Sequence, residues 1–125
     1  MNENELSNHI IGLAIKVHKS LGPGLFENVY KECLFYELNK SGIFVEKEKP
    51  IPFVYENHTF DCGFRADLFV ENKVILEIKS VNELTNIHLA QVMTYLKLSK
   101  IKLGLLMNFN VILLTQGIKR VVIDL

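Results

Sequence analysis

The chain has 125 residues, enough for one domain with a core of its own. Half of it is hydrophobic (49%) and 22% is charged, which excludes a disordered or low-complexity chain. Fourteen Lys and Arg balance fourteen Asp and Glu, so no global basic field announces a polyanion, and any such site must be a local patch.

No apolar run approaches the roughly 20 residues of a membrane span. The opening MNENELSNHI lacks the basic, apolar and small-residue regions of a signal peptide. These features predict a cytoplasmic protein, with Cys33 and Cys62 as reduced thiols. Two cysteines with no His at ligand spacing make no structural zinc site.

Leu6, Ile10, Leu13, Ala14, Val17 and Leu21 recur at three- and four-residue steps, which predicts an amphipathic helix over 3–20. Gly22-Pro23-Gly24 breaks it. Val29, Tyr30, Cys33, Leu34 and Leu38 predict a second helix over 26–40, closed at Ser41-Gly42. Strand chemistry follows over 43–48 and 51–55, around Pro50 and Pro52. Proline donates nothing to a ladder, so this region is expected at an edge or as a bent strand. Glu56-Asn57-His58 reads as a turn. Residues 59–70 and 74–79 are expected as strands joined at Glu71-Asn72-Lys73. Helical spacing returns over 83–99, with Leu89, Val92, Met93 and Leu96 apolar. Residues 103–107 and 111–115 are expected as buried strands, and 118–123 as a last one. Strands clustered before a helix, with more after it, predict an α/β fold: a mixed sheet with helices on its faces.

The informative stretch runs from Arg65 to Lys79. Alternate strand residues share a face. Ala66, Leu68, Val70, Val74, Leu76 and Ile78 would form an apolar face; Arg65, Asp67, Phe69, Ile75, Glu77 and Lys79 would form the other. A three-residue loop pairs Leu68 with Leu76, and so sets Asp67 opposite Glu77 and Arg65 opposite Lys79. Directly opposed Cβ atoms are about 4.5–5.5 Å apart, so two bare carboxylates there would repel. A divalent cation between them removes the repulsion, and oxygen ligands with several waters suit magnesium or manganese. Lys79 points to the same side, where its ammonium can meet a phosphate oxygen or hold an attacking water. The plainer alternative is a solvated hairpin face on which Arg65 and Lys79 pair the two acids.

In the following helix, His88, Gln91 and Tyr95 fall in one stripe beside the apolar one. An amide and a phenol there can hold a phosphate or a base edge, or make ordinary hydrogen bonds at a helix edge. Glu27 opens the second helix, where the helix dipole favours a carboxylate. It also shares a stripe with Tyr30, Leu34 and Leu38, which is expected to turn inward. His18 reads as a core-edge, hydrogen-bonding histidine.

Asp67, then Glu77-x-Lys79, then Gln91-x-x-x-Tyr95, with a helical Glu27 upstream, resembles the PD-(D/E)XK nuclease superfamily. Gly24-Leu25-Phe26-Glu27-Asn28-Val29-Tyr30 is similar to the signature of the small GxxExxY proteins within it. The likeness spans about 10–122. It implies a restriction-endonuclease-like core over 1–125, a central mixed sheet of about four main strands flanked by helices. It implies Asp67 and Glu77 as ligands of Mg2+ or Mn2+, joined by the Ile78 carbonyl, and Lys79 as the catalytic lysine. It implies Glu27 as an extra helical carboxylate on the metal or its water, and Gln91 and Tyr95 at the substrate backbone. Arg65 and His88 are added as candidate substrate contacts. Ala66 stands where the name-giving proline would be, and proline contributes no ligand.

The resulting expectation is a metal-dependent nuclease acting on nucleic acid, DNA first, away from membranes. Two alternatives stand beside it: a silent nucleic-acid-binding module of the same fold, or an interaction protein whose charged cluster is a salt-bridge network. A small domain offers little surface for a long nucleic-acid track, which leaves room for a homodimer.

Overall fold

A computed structural model describes residues 1–125. Helix α1 (Glu3–Leu21) starts in a reciprocal cap. Asn2 Oδ1 accepts from the Glu5 N–H at 2.8 Å, and the Glu5 carboxylate accepts from the Asn2 N–H at 3.2 Å. Its buried stripe is Leu6, Ile10, Ala14 and Val17. At the break, Gly24 takes φ 93°, a conformation open to glycine at little cost. Helix α2 (Glu27–Lys40) then packs beside α1 and buries Tyr30, Leu34 and Leu38.

The main sheet has five strands in the order β1 (Val45–Pro50), β4 (Arg65–Val70), β5 (Val74–Lys79), β6 (Leu103–Asn108) and β7 (Ile118–Val122). Strands β2 (Phe53–Tyr55) and β3 (His58–Phe60) form a separate hairpin. Only β5 and β6 run parallel, joined through α3 (Asn86–Ser99); the other neighbours are antiparallel. The sheet is therefore mixed and flanked by helices, the α/β architecture expected from the sequence.

Helices α1 and α2 cover one face of the sheet, over Leu68, Val70, Val74, Leu76, Ile78, Leu105 and Met107. Helix α3 covers the other with Val92, Tyr95 and Leu96, over Phe69, Ile75 and Leu106. Each such side chain taken fully from water contributes about 1.5–3 kcal/mol. Helix α3 comes close because β6 carries Gly104, where a Cβ would sit 2.7 Å from Val92 Cγ1.

Several sequence expectations are corrected. The second face of the β4–β5 hairpin is not solvated: Phe69, Ile75 and Glu77 are buried beneath α3. The strand expected over 59–70 is two strands. Between them Asp61 Oδ1 accepts from the Gly63 N–H at 3.1 Å, a local turn that outcompetes the ladder. Residues 111–115 form no strand. Ile112 and Leu113 are exposed, only Leu114 enters the core, and a single 3-10 turn (Leu114–Gly117) reverses the chain. Gly117 permits that reversal, since a Cβ there would lie 2.3 Å from the Asn108 carbonyl oxygen. Helix α3 starts at Asn86 rather than 83, behind a cap at Thr85.

Candidate active site

The β4–β5 ladder pairs Val70 with Val74, Phe69 with Ile75 and Leu68 with Leu76, and stops there. Beyond it the two carboxylates replace the backbone rung. Asp67 Oδ2 accepts from the Ile78 N–H at 2.8 Å, and Glu77 Oε2 accepts from the Asp67 N–H at 3.4 Å. The register carries Asp67 and Glu77 to facing positions. In a strand the N–H and C=O of one residue point the same way, so the Ile78 carbonyl also faces β4.

Strict alternation fails at Asp67. Leu68 belongs to the α1/α2 core, yet Ala66 belongs to the α3 core. The neighbouring strand switches with it. Lys47 lies over the Phe35 ring on the α2 side, while Lys49 lies over Phe69 on the α3 side. Between them Glu48 takes φ 52°, and the rung it would share with Asp67 is missing. Both strands change face together there. The Asp67 carboxylate is left in the plane of the sheet, within reach of the Ile78 N–H.

Glu77 is 3% exposed, and its Oε1 has no hydrogen-bond partner. Burial, and then the Asp67 charge beside it, push its carboxyl up to about 9, against a smaller opposing pull from Lys79. The metal-free protein thus holds Glu77 as the neutral acid at pH 7. Tyr95 is buried on α3, and its phenol is also raised, by burial first and then by the charges of Glu77 and Asp67. Lys79 is half-buried and makes no salt bridge. The two acids are therefore not neutralised by Arg65 and Lys79, as the plainer sequence alternative required.

Glu27 is exposed, contrary to the expected inward turn, because the first residue of α2 lies past the end of the packed face. Its Oε2 accepts from the Ser80 N–H at 3.3 Å, just beyond Lys79. Ser80 Oγ donates to the Leu25 carbonyl at 2.6 Å. Tyr30 fixes the turn that makes this reach. Its hydroxyl donates to the Gly22 carbonyl at 2.6 Å and accepts from the Leu25 N–H at 3.1 Å. The Tyr30 ring stacks on Phe109 at 4.5 Å. His18 closes the same node, with Nε2 2.8 Å from the Val111 carbonyl and 3.2 Å from that of Phe109. Gly24, Glu27 and Tyr30 thus work as one device that ties α2 to the end of β5.

No rung of the β4–β5 ladder pairs Arg65 with Lys79. Its guanidinium is exposed and donates to the Phe64 carbonyl at 2.9 Å and to Asp61 at 3.4 Å, while its backbone pairs with Pro50. Gln91 is exposed on α3. His88 caps that helix: its Nδ1 accepts from the Thr85 N–H at 2.9 Å, which leaves the ring proton on Nε2. Two residues near the site escaped the sequence reading. Lys31 is buried, with Nζ 2.6 Å from Glu48 Oε1. Burial pulls its ammonium down, but the Glu48 carboxylate outweighs this and Asp67 adds to the upward shift. The available signal was its place four residues after Glu27 on α2. Asn108 is buried and ties the segment after β5, its Oδ1 accepting from the Val81 N–H at 3.1 Å. An asparagine at the end of an apolar strand carried no distinguishing mark.

The donors fit a hard cation. Two carboxylates converge, one with a buried oxygen that lacks a partner, and a backbone carbonyl faces the same strand gap. Magnesium binds through one or two carboxylates and keeps several waters, so this set suffices. Glu27 does not complete it: no three His, Cys, Asp or Glu side chains gather anywhere in the chain.

A family model described as the PD-(D/E)XK nuclease superfamily matches residues 4–121. No curated protein and no solved structure matches the chain. No helix is long and apolar enough to cross a membrane.

Proposed function

The chain belongs to the PD-(D/E)XK nuclease superfamily, and on that basis we propose that it is a divalent-metal-dependent nuclease hydrolysing phosphodiester bonds of nucleic acid, DNA first, with Mg2+ or Mn2+. The observation that carries this reading is Glu77 Oε1, a buried carboxyl oxygen without a partner, set beside Asp67 and the unpaired Lys79. Leaving such a group unsatisfied costs about 1–3 kcal/mol. That cost is expected where a ligand completes the site.

A bound divalent cation supplies Lewis acidity toward the scissile phosphate and a water of lowered pKa. The chain's own groups do the rest. Asp67 and Glu77 hold the cation as ionised carboxylates, with the Ile78 carbonyl beside them. The Lys79 ammonium, free of any salt bridge, steadies the charge that develops on the phosphate or orients the attacking water. Gln91, the Tyr95 phenol, Arg65 and the free Nε2 of His88 meet the substrate backbone and fix its register. The Gly24, Glu27 and Tyr30 spacing supports reading the chain as a GxxExxY protein, with Glu27 binding the metal's water from the Ser80 side.

Titration calorimetry with Mn2+ and Mg2+ tests the reading. Wild type should bind saturably, and Asp67→Ala, folded by circular dichroism but somewhat less stable for want of the Ile78 N–H partner, should lose binding. Metal-dependent cleavage of DNA should disappear in the same variant. Binding and cleavage retained in Asp67→Ala would put the cation elsewhere. Metal bound without cleavage of DNA or RNA would favour the silent binding module. Indifference to metal, with Asp67→Ala merely less stable, would favour the structural protein.

A further inference from the structure

The β2–β3 hairpin stands outside the main sheet. Its register pairs Phe53 with Phe60 and Tyr55 with His58, so these rings share one face, while Val54 and Thr59 share the other. The ring face carries no carboxylate and no amine. It is also open: Tyr55 is 61% and Phe60 46% exposed, and His58 is exposed. A short two-stranded hairpin is marginal on its own. Contiguous exposed apolar surface of this kind marks an interaction site.

The row of rings does not stop at the hairpin. Phe53 meets Phe64 edge-on at 5.9 Å, and Phe64 meets Tyr95 at 5.9 Å. Tyr95 is the phenol on which the charges of Glu77 and Asp67 act. Arg65, an exposed cation, adjoins Phe64 at the start of the strand that carries Asp67. Ring contacts therefore run from the buried Tyr95 through Phe64 to Phe53, the inner end of the exposed ring face. The chain is electrically neutral and lacks a global field for holding a duplex by its phosphates. Ring stacking adds affinity that does not come from such a field, and Arg65 is the local cation beside the row. Stacking accepts any base, provided that the base is unpaired.

We infer that this aromatic face stacks the unpaired bases of a single-stranded nucleic acid whose backbone passes Arg65 into the Asp67–Glu77–Lys79 site. The chemistry at the end of that path rests on the nuclease reading; the stacking does not.

Fluorescence anisotropy tests it, with a short labelled single-stranded DNA, an RNA of the same sequence and the DNA duplex. Calcium replaces magnesium, so that binding is read without turnover. The double variant Tyr55→Leu with Phe60→Leu keeps apolar area and removes the π faces; Val54→Thr, on the opposite face, is the control. Single strands should bind more tightly than duplex. The double variant should lose about tenfold or more, and the control should match wild type. The DNA and RNA arms decide which polymer is preferred. A circular dichroism melt checks folding, and if the double variant does not fold, Tyr55→Leu alone is read. Duplex binding as tight as single-strand binding, or leucine variants that bind like wild type, overturns the inference. So does a hairpin face whose substitution changes only self-association in sedimentation. Wild type that stacks single strands yet cleaves nothing with Mn2+ defeats the nuclease reading and leaves this inference standing. Wild type that cleaves while the leucine variants bind unchanged does the reverse.

Discussion

His18 and Glu77 are almost equally sealed from solvent, at 5% and 3% exposure, and their surroundings treat them in opposite ways. His18 Nε2 is shared by two carbonyls. Asn108, at the other end of the same node, uses its whole amide: Oδ1 accepts from the Val81 and Asn110 N–H groups, and Nδ2 donates to the Val81 carbonyl. Glu77 has one oxygen with no partner and the other on a long bond to the Asp67 N–H. A satisfied buried polar group locks the architecture around it. An unsatisfied one leaves a cost that a ligand relieves. The contrast separates the part of this molecule that holds the site from the part proposed to act.

The largest effect should fall on the acting side. Lys79→Ala removes a cation that no salt bridge uses, so it should lower kcat by about 10²–10³. The melting temperature should stay close to wild type. A steady-state assay with Mn2+ beside a thermal melt reads both, and a large drop in melting temperature would move Lys79 to the holding side.

Next comes the pH dependence of stability without metal. In the unfolded chain Glu77 releases its proton near 4.5, while in the fold it keeps it to about 9. Between these values the folded state binds more protons, so the Glu77 contribution falls as pH rises. The slope approaches about 1.4 kcal/mol per pH unit. Glu77→Gln keeps the shape and cannot ionise. Urea melts from pH 5 to 9 should show wild type losing stability relative to Glu77→Gln. Saturating Mn2+ should recover wild type, most at high pH, and leave the glutamine variant unmoved. Parallel pH profiles for the two proteins would mean that Glu77 is not buried as an acid.

Smaller effects belong to the holding side. His18→Leu removes the ring nitrogen shared by the Phe109 and Val111 carbonyls and should cost about 1–3 kcal/mol in a urea melt, with or without metal. A metal-dependent cost would erase the distinction between the two groups. The smallest effect on stability should be Gln91→Ala, within about 0.5 kcal/mol. The side chain is exposed, so the substrate contact proposed for it should read out only as a raised KM for nucleic acid. An unchanged KM would remove it from the substrate path.

Much of this was legible in the sequence. The stripe from Leu6 to Val17, the second helix and the Leu68–Leu76 register follow from periods of 3.6 and 2, which depend on local geometry alone. The spacing of Asp67, Glu77 and Lys79 was legible for the same reason. Three things were not. Residues 111–115 are apolar enough for a buried strand, but the path between β6 and β7 leaves Ile112 and Leu113 in solvent. Glu27 shares a period with Tyr30 and Leu34, yet it lies past the end of the packed face and turns to Ser80. Lys31 escaped the sequence reading, because only the strand from Val45 to Pro50 brings Glu48 to it.

The sequence by itself determined the elements, the alternation that specifies the sheet, and the order of the acidic and basic groups along it. It did so because those features depend on neighbours within a few residues. The tertiary structure alone decided the electrostatics. The charge state of a carboxyl depends on what seals it, and the α3 that covers Glu77 comes after it in the chain. The face change at Asp67 likewise needs Glu48, a residue of another strand held there by Lys31 on a helix. Burial and in-plane carboxylates are properties of several elements meeting, and a local pattern carries no record of that meeting.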